Sequence, residues 1–181
     1  VSTIADPTFI LPRDKWMKTA STESFCGEDY IGCYATLDDD LDAMMPILKE
    51  LHDRTHLTVV LWGMTLPREE DWIVNVVEAG PREFLKLISG AQLLVTSSFH
   101  GTAFAANFGV PFLVYKDQLE DSRKDGILTL LDHPHRLVHS VEDLSKALNG
   151  GVNFTHIENV LAAERERAIG IINECLGDIY V

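Results

Sequence analysis

From Val95 to Phe104 the chain reads Val-Thr-Ser-Ser-Phe-His-Gly-Thr-Ala-Phe, which places hydroxyls, one imidazole and a glycine in immediate succession. The apolar residues Leu93, Leu94 and Val95 lead into this run as a strand. Ala103 to Phe108 follow it with the small and aromatic residues of a helix packed on a sheet. A strand that ends in donors where a helix begins is where α/β proteins bind anions, because the first amides of a helix have no partner within it. His100 is therefore predicted at a ligand-facing edge, as a group able to move a proton; the alternative is a histidine that ties the strand end to a neighbouring carbonyl. Ser97 or Ser98 becomes a nucleophile only beside a base, so ordinary hydrogen bonding is the expected role of both.

Other residues with chemical potential are less organised. Asp132, His133, His135 and His139 are possible metal ligands, but Pro134 constrains their loop and no HExxH spacing is present, so no metal site is expected. Asp38, Asp39 and Asp40 precede a helical pattern, where capping and a polar first turn explain them. The chain contains no GxGxxG dinucleotide fingerprint and no GxxxxGK[ST] phosphate loop, and Ser97 to Gly101 does not reproduce a GxSxG elbow. No cofactor follows from any of these patterns.

These residues need a scaffold, and 181 residues with 46% hydrophobic content can bury a substantial core. Residues 1–181 read as one domain, with an extended lead-in over residues 1–29 and a C-terminal helical segment over residues 152–181. Twenty-eight acidic against fifteen basic side chains give a net charge of -13, which opposes nonspecific binding to nucleic acid or to an anionic membrane. No basic leader followed by an apolar run opens the chain, and no segment reaches the roughly 20 apolar residues of a membrane span. Cys26, Cys33 and Cys175 lack metal or redox spacing, and three idle thiols fit a reducing compartment.

Strand and helix patterns alternate along the chain. Strands are predicted at Tyr30 to Tyr34, Leu57 to Trp62 (left at Gly63), Gln92 to Thr96 and Pro111 to Tyr115, with a final edge strand at Leu137 and Val138. Helices are predicted at Asp39 to Leu51, Pro81 to Ser89, after His100 and ending near Gly109, and at Lys124 to Leu131. Leu41, Met44, Met45, Leu48 and Leu51 form the stripe of the first. Ser140 is placed to cap Val141 to Leu148, and Phe154 to Leu176 sustains a helical face that Gly170 weakens. Glu164 to Arg167 reads as a solvated charged face. The order implies a Rossmann-like three-layer α/β domain with a mostly parallel sheet of four or five strands, open at the side of Gly63, His100 and Lys116.

Gly80 to Ile88, Val95 to Phe104 and Phe108 to Phe112 together resemble the carboxyl-terminal half of the polysaccharide pyruvyl transferase family. Asp6-Pro7-Thr8-Phe9 and Asp121-Ser122-Arg123 are similar to further landmarks of that family, so the resemblance spans about residues 6 to 131. It implies the second lobe of a glycosyltransferase-B-like fold. It also implies a missing N-terminal lobe carrying much of the saccharide acceptor site, and a fragment inactive alone. The implied reaction transfers pyruvate from phosphoenolpyruvate, as co-substrate, to a saccharide as a ketal, in the cytoplasm or at the inner face of the membrane. His100 corresponds to the histidine of the family's Arg-Leu-His motif and is the implied acid; Arg123 is the implied anion clamp, a surface ion pair with Asp121 or Glu120 being its structural alternative. Ser97, Ser98, Gly101 and Thr102 would orient the anion. Ser98 stands where the motif has arginine, and a serine carries no charge. A nucleotide-sugar-dependent glycosyltransferase domain and a non-catalytic sugar- or anion-binding module are the other readings.

Overall fold

The computed structural model describes residues 4–25, 27, 29–66, 68–117 and 123–177. Cys26, Glu120, Asp121 and Ser122 lie outside the described residues. Six strands form one sheet: β1 (Tyr30–Tyr34), β2 (Thr58–Trp62), β3 (Ile73–Val76), β4 (Leu93–Thr96), β5 (Phe112–Tyr115) and β6 (Leu137–Val138), in the order β3-β2-β1-β4-β5-β6. Every pairing is parallel; Ile31 faces Leu93, and Leu94 faces Phe112 across the central strands. A parallel sheet is covered on both faces, which is why β1, β2 and β5 are nearly continuous apolar runs without polar alternation.

The sheet has one strand more than the four or five expected. The additional strand is β3, an edge strand in which Val74 is 38% exposed and a polar Asn75 interrupts the apolar pattern. Asn75 is satisfied by the connection it organises: its Nδ2 donates to Leu61 O at 3.3 Å and Met64 O at 2.8 Å, and its Oδ1 accepts from Leu66 N. Half-buried, short and carrying an amide, β3 lacks the pattern that marks a central strand.

One face of the sheet is covered by α2 (Asp38–Thr55) and α6 (Leu144–Asn149). Leu41, Met44, Ile47, Leu48 and Leu51 of α2 pack with Leu144 and Ala147 on Ile31, Val59, Leu61, Val95 and Leu113. The other face carries α3 (Pro81–Gly90), α4 (Phe99–Phe108), α5 (Arg123–Leu130) and α7 (Phe154–Gly177). Helix α4 is buried nearly all round, which its Ala and Phe content allows, and Gly109 in the left-handed region (φ 69°) terminates it where expected. Fully burying each large apolar side chain contributes about 1.5–3 kcal/mol. Ser140 precedes a 3-10 turn, Val141–Asp143, which leads into α6. Gly170 does not break α7, because burial of Ile157, Leu161 and Ala168 offsets the ~1 kcal/mol helix penalty of a glycine.

The lead-in segment is not extended throughout. Pro7–Phe9 forms a 3-10 turn and Arg13–Trp16 a short helix, α1. Proline has no N–H to lose at a helix start, so Pro7, in the first turn, and Pro12, ahead of α1, initiate turns where they had suggested extension. The segment is strapped across α4 and α7: Asn107 Nδ2 donates to Thr8 O (3.1 Å) and Leu11 O (2.9 Å), and Arg165 Nε donates to Phe9 O at 2.8 Å. Among the described residues, no helix is long and apolar enough to cross a membrane.

Candidate functional site

Helices α2 and α4 leave the adjacent strands β1 and β4 toward opposite faces, which opens a crevice at the carboxyl edge of the sheet. Its floor is hydrogen-bonded shut. Thr96 Oγ1 donates to Tyr34 O at 2.6 Å and accepts from Ser98 N at 3.0 Å. Ser97 Oγ accepts from Thr36 N at 3.1 Å and meets Thr36 Oγ1 at 3.3 Å, joining β4 to the chain leaving β1. On the α2 side stand Asp38, Asp39 and Asp40 in the first turn, after Leu37, which makes no side-chain cap. Their negative charges disfavour an anion there.

Ser98 caps α4, its Oγ accepting from Gly101 N at 3.2 Å, and Thr102 Oγ1 donates to Ser98 O at 3.0 Å. A Cβ on Gly101 would lie 2.5 Å from Thr96 Oγ1, so glycine is what lets the helix start against the strand end. Ser97, Ser98, Gly101 and Thr102 therefore stand at the predicted junction, buried, with their polar side chains bonded internally. With Ser98 N and Gly101 N taken, and Thr102 N bonded to Ser98 O, the amides of Phe99 and His100 have no acceptor among the described residues.

His100 stands at this helix start with 54% of its side chain exposed. Its ring meets that of Phe99 edge-on at 5.5 Å, and its Nε2 lies 3.6 Å from Asp6 Oδ2, an ion pair only when the ring is protonated. Arg123, the first residue of α5, places its guanidinium carbon 5.5 Å from the Phe99 centroid. The structure thus brings His100 and Arg123 to one aromatic ring, and among the described residues Arg123 makes no ion pair or hydrogen bond. Beyond them, Lys116 at the end of β5 is paired with Asp125. Asp6 is a site neighbour that residue-type reasoning did not assign a role; its landmark Asp6-Pro7-Thr8-Phe9 was the available clue.

The histidine-rich loop serves structure. Buried His133 donates from Nδ1 to Leu131 O at 2.5 Å and accepts at Nε2 from Asn153 N at 2.9 Å, while His139 Nδ1 donates to Lys116 O at 2.6 Å and His135 Nε2 to Gly151 O at 3.1 Å. Among the described residues no group of three or more His, Cys, Asp or Glu side chains is placed to hold a metal. Burial pushes the Cys33 thiol up to about 12, which makes it inert, and Cys175 is exposed.

Comparison with known proteins agrees with this architecture. A UDP-GlcNAc 2-epimerase from Methanocaldococcus jannaschii, in complex with UDP-GlcNAc and UDP, superposes with a TM-score of 0.53 at 17% identity, over 82% of this chain and 42% of that one. A putative UDP-N-acetylglucosamine 2-epimerase from Listeria monocytogenes superposes with a TM-score of 0.59 at 15% identity, over 92% of this chain and 52% of that one. The chain spans about half the length of these structures, and the likeness is one of fold, that of a glycosyltransferase-B-like α/β domain. No curated protein sequence matches the chain. The family model described as polysaccharide pyruvyl transferase matches residues 1–116, which include the Asp6 turn, the Ser97 to Thr102 junction and Lys116. The chain belongs to the polysaccharide pyruvyl transferase family.

Proposed function

We propose that this chain is the donor-binding lobe of a pyruvyltransferase that moves the enolpyruvyl unit of phosphoenolpyruvate onto a saccharide as a ketal. The observation that carries the reading is the convergence of exposed His100 and the Arg123 guanidinium on Phe99, beside the amides of Phe99 and His100, which have no acceptor among the described residues. Phosphoenolpyruvate presents a carboxylate and a phosphate. A guanidinium grips either in two-pronged fashion, and the positive end of α4 favours both. Ser98 leaves the motif's arginine position without charge; Arg123 supplies a guanidinium from α5 to the same neighbourhood.

In the reaction the vinyl carbon gains a proton and becomes a methyl group, two saccharide hydroxyl oxygens bond to the adjacent carbon, and inorganic phosphate departs. Of the two hydroxyl protons released, one balances the methyl group and the other leaves with phosphate or solvent. His100 is the acid that protonates the vinyl carbon or assists phosphate departure. Ser97, Ser98, Gly101 and Thr102 contribute by building the helix start, and so by aiming its amides at the anion. The acceptor saccharide would be held largely by an N-terminal lobe of the same polypeptide, so the lobe alone would not turn over. The cell compartment consistent with this chemistry is the cytoplasm, at the inner face of the membrane where polysaccharide precursors are made.

The test is incubation of the full-length protein with phosphoenolpyruvate and a saccharide panel, with phosphate release and pyruvylated product followed separately. Both are expected together. A glycosidic product from a nucleotide sugar would replace this reading with a glycosyltransferase, and binding without either product would replace it with a sugar- or anion-binding module.

A further inference from the structure

We infer that Asp6 is the positioning residue for His100, so that the strap preceding α1 sets the aim of the proposed acid. The inference deepens the reading above and rests on it for the reaction, though not for the contact. Asp6 is held from two directions. Its Oδ1 accepts from Thr8 N at 2.9 Å as the cap of the Pro7–Phe9 turn, which fixes the carboxylate and leaves Oδ2 turned to His100 Nε2 at 3.6 Å. The turn itself is pinned to the helices by Asn107 and Arg165, and Trp16 Nε1 donates to Thr8 O at 3.1 Å. Trp16 also packs edge-on against Phe104 of α4 at 5.1 Å, so the strap beyond Asp6 and the helix beyond His100 are locked together.

Helix α4 carries no other ionisable side chain; Asp6 of the strap faces the ring, and Arg123 of α5 lies against Phe99, whose ring meets that of His100 edge-on. Asp6 is only 21% exposed at its side chain, so its charge is less screened than that of a free surface carboxylate. With Nε2 facing Asp6, Nδ1 is the nitrogen left for the donor. The contact is an ion pair only with the protonated ring, which is the form a general acid requires.

Asp6→Asn keeps an oxygen for the Thr8 amide and removes the charge, which separates positioning from capping. In the lobe, three-bond couplings that report the His100 χ1 rotamer are expected to show one dominant rotamer in the wild type and averaged rotamers in Asp6→Asn. Raising sodium chloride to about 1 M should loosen the wild-type ring in the same direction, since an ion pair is screened by salt; this arm needs no variant to fold. In the full-length protein, Asp6→Asn should lower kcat about tenfold while KM for phosphoenolpyruvate stays within about twofold, the pattern of a misaimed acid with donor contacts intact. Unchanged His100 couplings in Asp6→Asn, or in high salt if that variant does not fold, would overturn the inference. A wild type without pyruvyl transfer whose ring is nonetheless loosened by Asp6→Asn would overturn the reaction and leave the positioning role standing.

Discussion

Ser97, Ser98 and Thr102 are at most 6% exposed and direct their hydroxyls into the protein, whereas His100, from the same short run, has more than half its side chain in solvent. The difference separates two jobs carried out within six residues. The floor of the junction satisfies buried polar groups, which is costly to disturb because an unpaired buried hydroxyl or amide loses about 1–3 kcal/mol. The rim holds an imidazole and a guanidinium whose removal leaves no buried group unpaired. The two sides of the crevice differ as well. α2 begins with Asp38, Asp39 and Asp40, and α4 begins with no acid, so helix starts of equal dipole offer an anion opposite receptions.

The sharpest way to break this division is His100→Ala. It should lower pyruvyl transfer by the full-length protein about 10²- to 10⁴-fold, the usual worth of a general acid. Denaturant stability should stay within about 0.5 kcal/mol of wild type, as for other exposed positions. A variant that unfolds would move His100 from rim to floor. Arg123→Ala is the next largest effect: calorimetry should show phosphoenolpyruvate binding weakened about 10- to 100-fold, the value of a charge-assisted contact of about 1.5–3 kcal/mol. Donor affinity equal to wild type would remove Arg123 from the site.

Gly101→Ala reverses the readout. The added carbon would meet Thr96 Oγ1 at 2.5 Å and α4 would have to shift, so urea unfolding should show a loss of about 1–3 kcal/mol. No loss would mean that the helix start is looser than its geometry shows. Ser98→Ala sharpens the comparison at the smallest scale. Loss of the cap on Gly101 N should cost about 1 kcal/mol of stability, with donor affinity changed less than about twofold. A large drop in affinity at unchanged stability would instead put the Ser98 hydroxyl on the ligand.

The alternation of buried strands with amphipathic helices was legible from residue order, because apolar runs of strand length and apolar residues three and four apart depend on local geometry alone. That is why β1, β2, β4, β5 and even the two-residue β6 were readable, and why the Val95 to Phe104 run stood out as a strand end with a helix behind it. The strand β3 and the turns at Pro7 and Pro12 were not readable. An edge strand interrupted by Asn75 and a proline-led turn draw their stability from partners distant in sequence, the Leu61 and Met64 carbonyls in one case and Asn107 and Arg165 in the other.

The site divides along the same line. The residue run by itself determined that hydroxyls, His100 and Gly101 would gather where a strand hands over to a helix, since they are neighbours in the chain. Which of them face inward was decided only by tertiary packing: Thr36 and Tyr34 claim Ser97 and Thr96, and the closeness of β4 to α4 fills the space above Gly101. Only the fold, likewise, carries Arg123 from α5 to Phe99 and Asp6 from the strap to His100. The physical reason is range. Hydrophobic periodicity is a property of residues a few positions apart, whereas an ion pair or a shared ring joins residues that come together only after the chain has crossed the sheet.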